Sequence, residues 1–175
     1  MNHQKHFRIL AIAPSTRGFG FAVLEGLDML ADWGVKEAKG DKNNQSLRKV
    51  KELVAHYMPD VIVLQDTSPK DCRRSLRIKT LSRRIISLAS RQKIKVELFS
   101  DQQLKDVFFA DGKGTKDARA QIVAARFPEE LASRLPPKRK PWKSEDHRMA
   151  IFDAVALVLV IRLKKTRRDE RPPAL

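Results

Sequence analysis

The chain has 175 residues, 42% of them hydrophobic, which is enough apolar material for one compact domain with a real core. Lys and Arg number 36 against 21 Asp and Glu, a formal charge of +15; such an excess concentrates polyanions and makes a nucleic acid the expected partner. No apolar run is long enough to span a bilayer, the start MNHQKHFRIL has no signal-peptide core, and no lipidation signal or basic amphipathic helix argues for a membrane, so no membrane partner and a cytoplasmic, nucleoid-associated location are expected.

Residues 7–13 (FRILAIA) form a β-rich apolar run broken by Pro14, Ser15 and Thr16, and a second run over 19–24 follows Gly18, which together predict a hairpin. Residues 29–36 (MLADWGVK) predict a third antiparallel strand. From Ser46 the pattern turns helical, with Leu47, Val50, Val54 and Tyr57 on one side and Pro59 closing the segment. Residues 61–64 are continuously apolar, as suits a strand buried on both faces of a parallel sheet.

A second helix is expected over 73–90, with Ile78, Leu81, Ile85 and Leu88 inward and Arg73, Arg74 and Arg77 among its exposed cations. Cys72, the single cysteine, has no partner for an internal disulfide, and with four scattered histidines it makes no zinc constellation. Residues 95–99 (KVELF) alternate as a strand, and Ser100 with Gln103 has capping-box spacing for a short helix through Phe109.

The glycine-lysine loop 110–116 (ADGKGTK) leads into a helix whose apolar side reads as Ala118, Ile122 and Ala125. The stretch 135–142 (LPPKRKPW) is too rich in proline for a helix and predicts an extended basic connector. Ser144 is the expected cap of a final helix, in which Met149, Ile151, Phe152, Val155, Ala156, Val158 and Leu159 make a mostly apolar surface that should be buried. Residues 1–163 are expected to form the domain, and 164–175, charged and ending in prolines, a basic disordered tail.

Four segments, ILAIAPSTRGFGFAVLEG, VIVLQD, VELFSDQQLKDVFFADGKGTK and DHRMAIFDAVALVLVI, follow one another across nearly the whole chain. In this order, with the element order above, they resemble the RuvC-type Holliday junction resolvases of the RNase H-like superfamily. The resemblance implies an α/β fold with a five-stranded mixed sheet, three strands antiparallel and then parallel ones, flanked by helices. It implies DNA as partner, branched or four-way in structure, and a homodimer matched to the junction's two-fold symmetry.

It also implies a catalytic site in which carboxylates hold two Mg2+ ions about 4 Å apart. The family's acidic positions fall on Ala13, Gln65, Ala150 and Asp153, of which only Asp153 carries a carboxylate. Alanine has no ligand atom and a glutamine carbonyl is a neutral, weaker donor, so the chain as written is expected to be a poor nuclease. Asp66 is a possible substitute ligand beside Gln65, though Thr67, Ser68 and Pro69 after it equally suit a turn. Asp146 would share a helix face with Asp153 but lie roughly 10 Å along the axis, too far for co-ligation; His147, near that helix start, suits a solvated first turn or a metal. Thus Mg2+ is expected only if the site is active, with Asp153 and Asp66 as its remaining acids.

For nucleic-acid binding, the residues singled out are Lys113, Lys116 and Arg119 on and after the glycine loop, Arg73, Arg74 and Arg77, and Lys138, Arg139 and Lys140. The loop is no P-loop, because it lacks the Gly-Lys-Ser/Thr ending at the required spacing. Phe108 and Phe109 are candidates for stacking on a base or for core packing. Three functions remain open at this point: a branched-DNA-binding protein with a degenerate nuclease site, an active Mg2+-dependent endodeoxyribonuclease, and an RNA-associated scaffold.

Overall fold

Side chains alternate across the first strand, so Ile9, Ala11 and Ala13 face one way and Leu10 and Ile12 the other, yet all five are buried. A strand buried on both faces needs helices on both, and the fold supplies them. The computed structural model describes residues 6–26, 28–70 and 72–169. Strands β1 (Arg8–Ser15), β2 (Gly18–Glu25) and β3 (Met29–Glu37) form the antiparallel meander, and β4 (Val61–Gln65) and β5 (Lys95–Phe99) add in parallel on the other side of β1. The order is β3-β2-β1-β4-β5, the five-stranded mixed sheet that the resemblance implies.

Helices α1 (Lys42–Tyr57) and α2 (Leu76–Arg91) cover one face through Leu47, Val50, Leu81 and Ile85. The other face carries α3 (Asp101–Phe108), α4 (Lys116–Arg126), the short α5 (Pro128–Leu131) and α6 (Met149–Asp169). From Met149 to Ile161 every residue of α6 except Asp153 is buried, as its all-round apolar sequence requires. Among the described residues no helix is long and apolar enough to cross a membrane.

Several boundaries differ from the sequence reading. β1 continues through Pro14 to Ser15, because its ladder with β4 ends at Ala11 and a missing N–H beyond that point costs no bond to β4. α1 begins at Lys42 rather than Ser46, since Asp41 caps it by accepting from the Asn44 N–H. α2 begins at Leu76, capped by Ser75, so Arg73 and Arg74 lie in the preceding loop. The Ser100–Gln103 capping box of α3 is present in both directions.

The buried face of α4 is Arg119, Ala120, Val123 and Ala124, not Ala118, Ile122 and Ala125. Ser144 caps nothing: α6 starts five residues later, and Asp146 marks its entry by accepting from the Arg148 N–H. At the other end α6 runs on to Asp169, so residues 164–169, expected in an irregular tail, are helical; 170–175 lie outside the described residues.

One glycine sets where α6 begins. Gly20 pairs with Ala13 across the hairpin, and a Cβ there would stand 2.0 Å from the Ala150 carbonyl oxygen. Only a residue without a side chain lets the first turn of α6 rest directly on β2. Gly20→Ala is therefore expected to lower unfolding free energy by about 1–3 kcal/mol through overpacking, measured by urea denaturation; an unchanged midpoint would mean that α6 has room to retreat.

Candidate nucleic-acid interface around Asp153

The four positions singled out by resemblance converge. Ala13 on β1, Gln65 at the end of β4 and Asp153 on α6 line one cavity with Arg74, Arg119 and Asp101. Ala150 lines the adjoining one with Asp153, Arg74 and Arg17. Strand alternation explains the placement: Val61, Val63 and Gln65 share the α6-facing side of β4, as Ala13 does on β1.

Cations occupy this convergence. Lys116 Nζ donates to Asp153 Oδ2 at 3.0 Å and to Glu145 Oε1 at 3.0 Å. Arg119 Nη2 donates to Asp153 Oδ1 at 3.0 Å, and its guanidinium lies 3.8 Å from Asp101 Oδ1. Arg74 Nη2 donates to Gln65 Oε1 at 2.8 Å. Burial pushes the Asp153 carboxyl up, but the fields of Lys116 and Arg119, the hydrogen bond from Lys116 and the field of Arg74 outweigh it and hold the group below the usual carboxylate range.

This donor set does not fit a pair of divalent ions. Both oxygens of Asp153 are engaged by cations, the Gln65 carbonyl faces a guanidinium, and Ala13 and Ala150 offer no atom. Asp66 does not repair the deficit: its Oδ1 accepts from the Ser68 N–H at 2.9 Å and from Ser68 Oγ at 2.6 Å, closing the turn after β4. It lines a neighbouring groove rather than the cavity of Asp153. Asp146 is pulled down to about 2 by its hydrogen bonds from Arg148, and it sits ahead of α6 with His147 Nδ1 at 3.6 Å. Among the described residues no group of three or more His, Cys, Asp or Glu side chains is placed to hold a metal ion.

The basic residues divide into two kinds. Arg119 is 5% exposed and Lys116 is held between two carboxylates, so both tie the site together instead of projecting toward solvent as free phosphate ligands. Arg77 also ties elements, donating to the Ser15 carbonyl at 2.5 Å and to Asn43 Oδ1. Lys113, Lys138, Arg139 and Lys140 are exposed, and Arg73 lines the groove beside Arg74 and Lys105. Arg17, at the β1–β2 turn, escapes the sequence reading; it lines both the cavity of Ala150 and a groove of about 430 Å³ running along Lys138, Arg139 and Lys140. Its only sequence signal is a cation in a tight turn beside the Ala13 position.

Both phenylalanines are engaged in packing. Phe108 lies against the α6-side core, and a Cβ on Gly114 would fall 2.3 Å from the Phe109 ring, so that glycine lets the loop close over it.

No family model and no curated protein sequence matches the chain. Solved structures do. The Thermus thermophilus RuvC structure superposes with a TM-score of 0.66 at 15% identity, covering 92% of this chain and 97% of that one. T. thermophilus RuvC in complex with a Holliday junction substrate gives 0.64 at 15% identity, covering 92% and 96%. The yeast mitochondrial Holliday junction resolvase Ydc2 gives 0.60 at 13% identity, covering 94% and 83%. The chain has the RuvC-type RNase H-like fold.

Removing the central carboxylate tests the electrostatic account. Asp153→Asn leaves the buried Arg119 without its main counter-charge and is expected to cost about 3 kcal/mol at neutral pH. Because the folded-state pKa lies below the unfolded value of about 3.9, that contribution is present above about pH 4 and lost as pH falls through the folded pKa. The gap between wild type and variant in urea denaturation should therefore close on acidification; a gap independent of pH would assign the loss to packing.

Proposed function

We propose that this protein binds branched DNA, with a four-way junction as the preferred form, and that it does so without metal-dependent cleavage. The observation that carries the reading is the juxtaposition at the sheet's end. A site of the resolvase fold keeps one acid of four, pairs that acid with Lys116 and Arg119, and opens into grooves lined by Arg17, Arg73, Lys138, Arg139 and Lys140.

Phosphates bind to cations placed along a groove and release condensed counterions. Branched DNA is favoured over duplex by the fold, which this chain shares with a RuvC held in complex with a Holliday junction substrate. A junction's two-fold symmetry suits binding by two copies of the chain.

Affinity for a four-way junction should fall steeply with salt, with a log–log slope of about −0.9 per phosphate neutralised. Lys113→Ala, Arg73→Ala and Lys138→Ala together should flatten that slope by about 2–3 without altering the fold, since each side chain is outside the core. Fluorescence anisotropy across a salt series measures both, and a salt-insensitive affinity would sink the electrostatic argument.

With Mg2+ or Mn2+ the bound junction should stay intact over hours in a gel assay. Gln65→Glu alone should leave it so, because the new carboxylate meets the Arg74 guanidinium already in place and ligands of one metal site act as a unit. Metal-dependent nicking by the unmodified chain, abolished by Asp153→Asn, would establish the nuclease reading instead.

A further inference from the structure

Trp142 is 77% exposed, more than Leu76 at 73% or Met58 at 60%, and the most exposed large apolar side chain among the described residues. Leaving an indole in water forgoes one of the largest burial gains any side chain offers. The backbone does not leave it loose. The Lys143 N–H donates to the Lys140 carbonyl at 3.0 Å, and Arg139 Nε donates to the Lys143 carbonyl at 2.7 Å. These two bonds close a loop over residues 139–143 with Trp142 at its turn. Pro136, Pro137 and Pro141 restrict the approach to that loop, so little backbone freedom is left to lose on binding.

The chemistry around the ring points to its ligand. Lys140 Nζ stands 5.7 Å from the ring centroid, and Lys138, Arg139, Lys140 and Lys143 have no carboxylate partner among the described residues. These four line the groove of about 430 Å³ that also holds Arg17, Glu145 and His147. The same three residues line the cavity of Ala150 and Asp153, so the connector's groove continues into the degenerate acid site. A flat aromatic face beside cations that have no carboxylate partner matches a nucleobase attached to its phosphate, since stacking takes the base and the cations take the backbone. A duplex offers no base face along its length; an opened branch point or a single strand does.

We infer that Trp142 is a stacking platform for an unpaired nucleobase, held on the basic connector 138–143 and supplying selectivity for opened over fully paired DNA. This rests on the nucleic-acid reading above and adds a residue and a ligand feature to it. The two phenylalanines near the glycine loop leave the role vacant, because both are packed.

The test uses the full chain and three probes: an oligothymidylate, a forked duplex with unpaired arms, and a blunt duplex of equal length. The chain has two tryptophans, so in a Trp33→Phe background, excited at a wavelength that tyrosine does not absorb, the emission is that of Trp142. Its fluorescence should be quenched by oligothymidylate and by the fork, and little by the blunt duplex. Trp142→Ala should weaken binding of the first two about tenfold and leave the duplex within about twofold, while Trp142→Phe restores most of the loss.

Equal losses for all three probes, unchanged affinity for the fork, or a Trp142 emission blind to bound oligothymidylate would each overturn the stacking role while the electrostatic reading stood. No binding of any probe by the unmodified chain at low salt would overturn both. Circular dichroism of the alanine variant confirms its fold, and the phenylalanine variant keeps the comparison valid if it does not fold.

Discussion

Asp153 with Lys116 and Arg119 is the interaction on which the arrangement of the α6 face depends. Arg119 is almost fully buried between α4 and α6, where an uncompensated guanidinium would be costly. Its pairing with Asp153 therefore fixes the rotation of α4: the helix turns Arg119 inward, and Ala120, Val123 and Ala124 follow it into the core. Lys116, one turn earlier on the same helix, then reaches the other oxygen of Asp153 and extends the pair to Glu145 ahead of α6. The glycine loop before α4 is held where these contacts put it, with Gly114 closed over Phe109.

The same contacts give this end of the sheet its own internal charge balance. Clustered carboxylates at the end of a sheet repel one another, and divalent cations relieve that repulsion. Here Ala13 and Ala150 carry no charge and Gln65 is neutral. The Asp153 carboxylate is balanced by side chains of the chain itself, and Arg74 reaches across to Gln65. The site thus becomes self-contained, and the charge left over is displayed outward along the connector and the loop before α2. The exposed positive charge lies along that display and not at the centre of the site.

Much of this is legible in the sequence because it follows from local periodicity and small-residue placement. Continuous apolar runs mark β1, β2 and β4, and the all-round apolar pattern of α6 announces a buried helix. The capping box at Ser100 and Gln103 follows from spacing alone. Helix starts are harder. Asp41 and Ser75 are the real caps of α1 and α2, but each stands among other polar residues able to cap, and only the packed helix selects one.

The amino-acid sequence by itself determined the order of strands and helices and the excess of positive charge, because strand alternation, helical periodicity and composition are local properties, while the four site positions came from the resemblance of its segments to a known family. Which cations face solvent and which are spent inside was decided only by the tertiary structure. Lys113 and Lys116 are three residues apart in one glycine-lysine stretch and look alike in the sequence, yet Lys116 closes on Asp153 and Lys113 stays exposed. Trp142 reads as part of a proline-rich connector, and its exposure beside unpaired lysines emerges only once the loop over 139–143 has closed. Ion pairing and exposure depend on residues distant in sequence meeting within about 3 Å, and no local pattern encodes that distance.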